Sequence, residues 1–595
     1  MRPCRAVAAG VAALVLTSAA AAAEAPTGAA ADGPRRLVES QFVPGPKPRL
    51  TEERATERFL AAAKVVDWVG RYPEQSLVTE AKFGERDRDW TVKVWSGPAG
   101  QIALGRVDDL TGAVTEAWTG PQVAWSMARG VDGAFGGKEL NSAPVWLAFC
   151  LVFLLGLGDL RRPFSLRNLD LLVLLSFSVS LWFFNEGRIF TSVPLAYPPL
   201  VYLLARTVWV GFRGRAGAGT RPVWPVWLLA AATVFLAGFR IGLNLEDSTV
   251  IDVGYSGVIG AQRIASGEAP YGHMPVGRGK ACAPADRDGR TAYRIQTNER
   301  CESADERGDT YGPVAYQAYL PGYAAVGWKG KGDDLDAARF TSILFDLLAL
   351  AGLALIGRRF GGGRLAVTLA FAWAAYPFTQ YVSSSNSNDA IQPALLVWGF
   401  WLAASPWTRG ALAALAGWTK FAALIVAPLW ATYPEARLRS RQTPVFAAAF
   451  GLATLAAFWI LLLEPDPLHA ARVFWERSIG WQLGRDSPFS IWGWGQYHAG
   501  LPYLRVLQQV LAGLVALGAV GVAFVPRRKS PLQLAALTAA VLIGFELVLT
   551  HWFYLYVPWF FPFAAFALLA PAPAPAAEVV MEVRDGQAGE LAPAG

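Results

Sequence analysis

The interval Asn244–Trp328 opens NLEDSTVIDVGYSGVIGAQRIASGEAPYG (244–272) and closes DTYGPVAYQAYLPGYAAVGW (309–328), the longest polar run among strongly hydrophobic segments. What surrounds it decides the fold. Hydrophobic residues make up 53% of the 595 and charged residues only 17%; the apolar residues fall in blocks of about 17 to 23, the length a helix needs to cross a bilayer core. The chain therefore reads as mainly α, a polytopic transmembrane helical protein. Its net charge of +7 is gathered at Arg161 and Arg162, Arg213 and Arg215, Arg358 and Arg359, Arg437 to Arg441, and Arg527 to Lys529. Short basic loops between spans mark the cytoplasmic side and meet anionic headgroups, so the basic balance reports topology and gives no reason to invoke nucleic acid.

Spans are expected near 143–158, 169–185, 189–211, 223–243, 339–356, 364–382, 390–404, 443–463, 503–525, 531–549 and 553–570. Starting outside, every Arg cluster lands inside only if 312–328 does not cross and 411–432 is a hairpin that enters and leaves on one face. The expectation is about eleven crossings plus one re-entrant hairpin, in a transmembrane domain over 141–570 with a large outer loop at 244–338. Residues 1–23 pair Arg2 and Arg5 with an alanine-rich run, which fits a cleaved secretory signal; an uncleaved anchor is the competing reading. A linker at 24–50 and a disordered cytoplasmic tail at 571–595 are both rich in Pro and Ala.

From Thr51 the pattern is that of a soluble module over 51–140. Thr51 caps a helix with Glu52 and Glu53 in its first turn and Ala55, Phe59, Ala62 and Val66 on one face, and strands follow at Trp90–Val94, Ile102–Val107 and Val114–Trp118. With VDDLTGAVTEAWTG (107–120) at its end, this stretch resembles a PepSY-type domain, which implies an extracytoplasmic α+β module that binds or regulates. A plain spacer is the other reading. Cys282 and Cys301 share the polar loop, so they are expected to form a disulfide if that loop is outside the cytosol; two unrelated thiols remain the alternative.

Within the loop, Asp252, Ser256, Ile259 and Arg263 recur at helical spacing, beside the more apolar stripe of Ile251, Tyr255 and Val258. Such a helix would lie in the membrane interface and hold a carboxylate where headgroups meet aqueous substrate. A solvated surface Asp is the plainer reading. A phosphate would need cations, and Arg263, Arg477, Arg485 and His551 are the outward candidates. Asn386, Asn388 and Asp389 form a turn that lines a pocket or caps a helix. Lys420, inside an apolar hairpin, approaches from the cytoplasmic side and is expected to be structural or lipid-facing.

Five stretches in order, IDVGYSGVIGAQRIASGEAPYG (251–272), DTYGPVAYQAYLPGYAAVG (309–327), SSSNSNDAIQPALLVWGFWLA (383–403), RGALAALAGWTKFAALIVAPLW (409–430) and GRDSPFSIWGW (484–494), together resemble glycosyltransferase family 87. That family belongs to the GT-C class and is related to the polyprenyl-phosphate-mannose-dependent mannosyltransferases of actinobacteria. The resemblance implies a GT-C-type fold over about 223–570 and a multi-pass enzyme of the bacterial plasma membrane with its active site and amino-terminal domain outside. It also implies transfer of a hexose, mannose being the expected sugar, from a polyprenyl phosphate to an envelope glycan or glycolipid. Asp252 matches the expected base of an inverting displacement; Arg485, His551, Arg263, Arg477, Asn388, Asp389 and Tyr311 are the candidate substrate and phosphate ligands. The histidines lack metal-ligand spacing, so no metal ligand is assigned, while a divalent ion reached by Glu246 or Asp247 stays open. Two rival readings are a polytopic transporter or flippase, and a non-catalytic envelope sensor or scaffold.

Overall fold

The computed structural model describes residues 47–570 apart from 86, 131–134, 215–223, 275–292, 296–300, 304–307, 329–334, 438–439, 486 and 498–500. The expected signal (1–23), most of the linker (24–46), the tail and Cys282 thus lie outside the described residues, and of Cys301 only the backbone is described.

The amino-terminal domain begins with α1 (Glu52–Leu60), whose first turn is closed by Thr51 Oγ1 accepting from the Arg54 N–H at 3.3 Å. The chain breaks at Ala61 and Ala62 and restarts as α2 (Ala63–Val69), so one expected helix is two, and Val66, expected inside, is 53% exposed. Four strands follow as an antiparallel meander: β1 (Leu77–Gly84), β2 (Asp89–Ser96), β3 (Gln101–Asp108) and β4 (Val114–Thr119). β1 was not anticipated, because its side chains are half-exposed or exposed throughout and carry no apolar alternation. In β2, Trp90, Val92 and Val94 point inward, one residue in two, against Phe59 and Trp68 of the helices.

Asp109 pins this domain together. Its buried carboxylate accepts from the backbone N–H groups of Arg49 and Leu50, both at 2.9 Å, and from Trp90 Nε1 and Arg88, both at 3.2 Å. Burial by itself raises the pKa of this group, but the Arg49 and Leu50 N–H groups, then Trp90 and Arg88, outweigh it and bring it down to about 2.

The rest of the chain is mostly helical and apolar. Six described helices are long and apolar enough to cross a membrane: α4 (Leu166–Asn185), α5 (Ile189–Arg213), α6 (Val226–Glu246), α8 (Asp336–Ala375), the segment Gln442–Leu463 that begins with α12 (Gln442–Ala457), and α13 (Arg505–Phe524). α8 holds the span expected at 339–356 and most of the one at 364–382, broken at Gly362, whose φ of 72° lies outside the helical region. The other expected spans occupy shorter helices: α3 (Ala143–Leu157), α10 (Ile391–Trp401), α14 (Pro531–Leu547) and α15 (Val557–Leu569). Deep ion pairs tie neighbours together: Asp170 of α4 with Arg206 of α5 at 2.8 Å, and Arg240 of α6 with Asp346 of α8 at 2.5 Å. Arg240 also donates to Thr379 Oγ1 at 2.9 Å, and Trp373 Nε1 donates to Asp346 at 2.8 Å, so both charges are fully engaged.

The described part of the long loop 244–338 is not a polar fringe. It begins with α7 (Asp252–Ala265), which corrects the interfacial reading: Tyr255, Ser256, Val258, Ile259 and Arg263 are all buried. The reason is glycine. A Cβ at Gly254, Gly257 or Gly260 would stand 2.1 Å from the Asn386 carbonyl, 2.4 Å from the Tyr319 ring or 2.3 Å from the Tyr316 ring. These three residues therefore let α7 sink between the turn at 386 and the returning segment Pro313–Val326.

The unfolded Asp109 carboxyl titrates near ~3.9 and the folded one at about 2. The stabilisation it supplies is therefore complete above the unfolded value and lost as pH falls through the folded one. Pepsin cleavage within residues 47–120 of the full-length protein should accelerate as pH drops from about 4 to about 2. Asp109→Asn should be cleaved faster already at the upper end of that range; equal rates there would contradict the role given to Asp109.

Candidate active site

The site is built on a turn. Helix α9 (Pro377–Ser385) stops at Asn386, which adopts the left-handed conformation (φ 52°) that Asn tolerates better than most residues. Its Nδ2 donates to Ser248 Oγ and to the Thr249 carbonyl, both at 2.9 Å, and its Oδ1 accepts from Asn244 Nδ2 at 3.0 Å. The N–H groups of Thr249 and Ile251 donate to the carbonyls of Ser384 and Ser385 at 3.1 and 3.2 Å. The segment that carries Asp252 is thereby sewn to the turn that carries Asp389. Asp252 is the first residue of α7, where a helix terminus favours a carboxylate.

Asp389 is buried and has three partners. Its Oδ1 meets Lys420 Nζ at 3.0 Å and accepts from Trp559 Nε1 at 3.1 Å; its Oδ2 accepts from Ser387 Oγ at 2.8 Å. Lys420 arrives on the expected hairpin. Helix α11 (Pro406–Gly417) leads in, and Phe421–Val426 and Ala427–Ala431 lead back. The base is closed by the buried Arg409, which donates to the carbonyls of Ala403, Trp430 (3.1 Å) and Tyr433 (2.8 Å). Lys420 lies eleven residues beyond Arg409. At ~1.5 Å per residue that carries the tip roughly 16 Å, about half of a ~30 Å bilayer core. Lys420 was expected to stay apart from the chemistry; the structure instead brings its ammonium to Asp389 and over the Tyr311 ring, 4.5 Å from the centroid.

A second group stands opposite. Arg485 Nη2 lies 3.3 Å from His551 Nε2, and Ser487 Oγ lies 2.8 Å from His551 Nδ1. The Arg485 guanidinium lies over two indole rings, 4.7 Å from the centroid of Trp481 and 5.5 Å from that of Trp125. Among the described residues it pairs with no carboxylate, and its buried Nε has no hydrogen-bond partner. Trp125 was not singled out in the sequence, where nothing marks a lone Trp that follows a module as part of a site 360 residues further on.

Both groups line one cavity of about 550 Å³, with Tyr311, Lys420, Arg485, His551, Tyr556 and Trp559 on its wall. The rest of the wall is largely apolar, including Phe421, Leu424, Phe545 and Leu549, and α13 supplies one side. Leu483 and Tyr503, which are 75% and 51% exposed, lie at its edge. Asp252 is half-buried and not part of this wall; it follows Ile251, whose N–H donates to the Ser385 carbonyl next to the turn that presents Asp389. Among the described residues the Asp252 carboxylate has no hydrogen bond or ion pair.

The remaining candidates fall elsewhere. Arg263 donates to the His273 carbonyl at 3.1 Å, and Arg477 meets Asp309 at 2.7 Å, where the Gly272 N–H also donates at 2.8 Å. Both brace the outer loop and neither lines the cavity. Asn388 is buried beside Asp389 with its Oδ1 unbonded among the described residues. No three His, Cys, Asp or Glu side chains of the described residues come together as a donor set, and Asp247 instead accepts from the Glu139 N–H at 2.6 Å.

No family model matches the chain, neither family 87 nor PepSY included, and no curated protein matches it. Among solved structures, ArnT from Cupriavidus metallidurans bound to undecaprenyl phosphate matches with 15% identity and a TM-score of 0.37, over 57% of this chain and 60% of that one. The match thus spans less than two thirds of ArnT, and likeness at this level leaves the site to its own geometry.

Removing one member of a buried pair strands the other. Lys420→Met should lower stability by about 3–5 kcal/mol in SDS-induced unfolding, and Lys420→Met with Asp389→Asn should recover most of it. A double variant no more stable than the single one would show that the pair is not the interaction being lost.

Proposed function

We propose that the chain is a membrane glycosyltransferase of the GT-C class. In this reading it transfers a hexose, mannose, from a polyprenyl phosphate to an envelope glycan or glycolipid outside the cytoplasm of a bacterial cell. The observation that carries the reading is a half-buried carboxylate, Asp252, fastened through the N–H groups of Thr249 and Ile251 to the turn whose Asp389 holds Lys420 on the cavity wall, together with a guanidinium on that wall, Arg485, that pairs with no carboxylate among the described residues. Asp389 is a poorer base, because Lys420, Trp559 and Ser387 already engage its oxygens.

The acceptor hydroxyl gives its proton to Asp252 as its oxygen bonds to the anomeric carbon. The bond from that carbon to the phosphate oxygen breaks on the opposite face, its electron pair leaves with the lipid phosphate, and the centre inverts. Arg485, oriented by His551 and the two indole rings, meets the phosphate where its charge grows. Lys420, half neutralised by Asp389, supplies the field from the other side. One base suffices, since a stabilised phosphate leaves without an acid, unlike the sugar alcohol of a glycosidase. The apolar wall fits a polyprenyl tail better than it fits a soluble nucleotide sugar.

A transporter is favoured by one observation, the paired charges Arg206–Asp170 and Arg240–Asp346 deep in the helices. Both pairs hold neighbouring helices, and neither lines the 550 Å³ cavity.

Purified Asp252→Asn, given a polyprenyl-phosphate mannose and an acceptor glycan, should lose about 10²- to 10⁴-fold in kcat, the usual contribution of a general base. Binding of undecaprenyl phosphate should be unchanged. Full turnover in this variant would remove Asp252 from the mechanism.

A further inference from the structure

The amino-terminal domain is not a spacer hung ahead of the first span. Trp68 of α2 stacks on Phe190 of α5 with centroids 5.8 Å apart and planes 13° from parallel, and Phe190 meets Trp494 edge-on at 5.2 Å. Gln122 Nε2 donates to the Gly187 carbonyl at 2.9 Å, in the turn between α4 and α5, and Arg129 Nε donates to the Gln122 carbonyl at 2.8 Å. These contacts fix the segment that leaves β4, and that segment carries Trp125.

Trp125 reaches both Arg485 and His551 at once. Its ring lies 5.5 Å from the Arg485 guanidinium, 5.9 Å from the His551 ring and 5.5 Å from Phe489, which is itself 5.4 Å from His551. Its Nε1 donates to Tyr497 Oη at 3.2 Å, so the indole is anchored in the same loop that presents Arg485 and Ser487. An aromatic face attracts a guanidinium, and more strongly where water is excluded. Without this second indole, Arg485 would keep, among the described rings, only the face of Trp481.

We propose that Trp125 is a positioning residue, by which the docked amino-terminal domain orients Arg485 toward the lipid phosphate. The inference rests on the reading of Arg485 as a ligand of that phosphate. It makes the domain a structural part of the site, and Trp125 acts only through the guanidinium it faces.

The experiment measures undecaprenyl phosphate binding and mannosyl-transfer kinetics on the full-length protein in nanodiscs, for Trp125→Ala, Trp125→Phe, Arg485→Ala and the Trp125→Ala/Arg485→Ala pair. Trp125→Ala should weaken binding about tenfold and raise the donor KM with little change in kcat, the scale of a desolvated cation–π contact. Trp125→Phe should restore most of the affinity, since a smaller ring face remains. In the Arg485→Ala background, Trp125→Ala should have no further effect, a result that general misfolding would not give. Unchanged affinity in Trp125→Ala alongside a loss in Arg485→Ala would overturn the positioning role, as would fully additive losses. Unchanged affinity in Arg485→Ala would overturn the lipid-phosphate reading, and the proposal with it.

Discussion

A lysine ammonium inside an apolar helical bundle has to meet a carboxylate, and the Lys420–Asp389 contact is where this chain satisfies that demand. Much of the site follows from it. The carboxylate must be presented by a turn, so α9 ends at Asn386 and its side chain binds the strand of loop that precedes α7. The ammonium must be brought in from the far side, so the chain doubles back as a hairpin with Arg409 across its base. Tyr311, Tyr556 and Trp559 then turn ring faces to the ammonium, at 4.5, 5.7 and 5.7 Å, and share the cavity wall with it.

The helical, many-spanning architecture was legible because burial in lipid writes itself into composition and length. The hairpin was legible for a related reason: Arg409 and the cluster after Arg437 could share one side only if the chain turned back between them. How deep that hairpin reaches was not legible, since charge parity fixes sides and says nothing of depth; Lys420 was therefore set aside when it stands at the centre. Asp252 and Asp389 were picked out by local pattern, as were Arg485 and His551. Arg263 and Arg477 carried the same pattern, and the structure places them on the His273 carbonyl and Asp309, away from the cavity, because sign and exposure in sequence do not say where a side chain bonds.

The misreading of α7 has a simple origin. Polar residues at helical spacing suggested a wet face, but Ser256 and the glycines at 254, 257 and 260 are small, and small residues admit close neighbours as readily as solvent. Likewise Arg240 and Asp346, or Trp125 and Arg485, are partners only in space, 106 and 360 positions apart in the chain. No local window contains both members.

One guanidinium gathers three carbonyls at the base of the hairpin and one ion pair holds its tip, while Trp418 and Trp430 donate to Thr454 and Thr538 of neighbouring helices. Mechanically the hairpin is a strut. The location of the ammonium is then set by the count of residues between Arg409 and Lys420, and a single inserted or deleted residue in α11 would shift Thr419, Lys420 and Phe421 along the cavity wall and move its electric field with them.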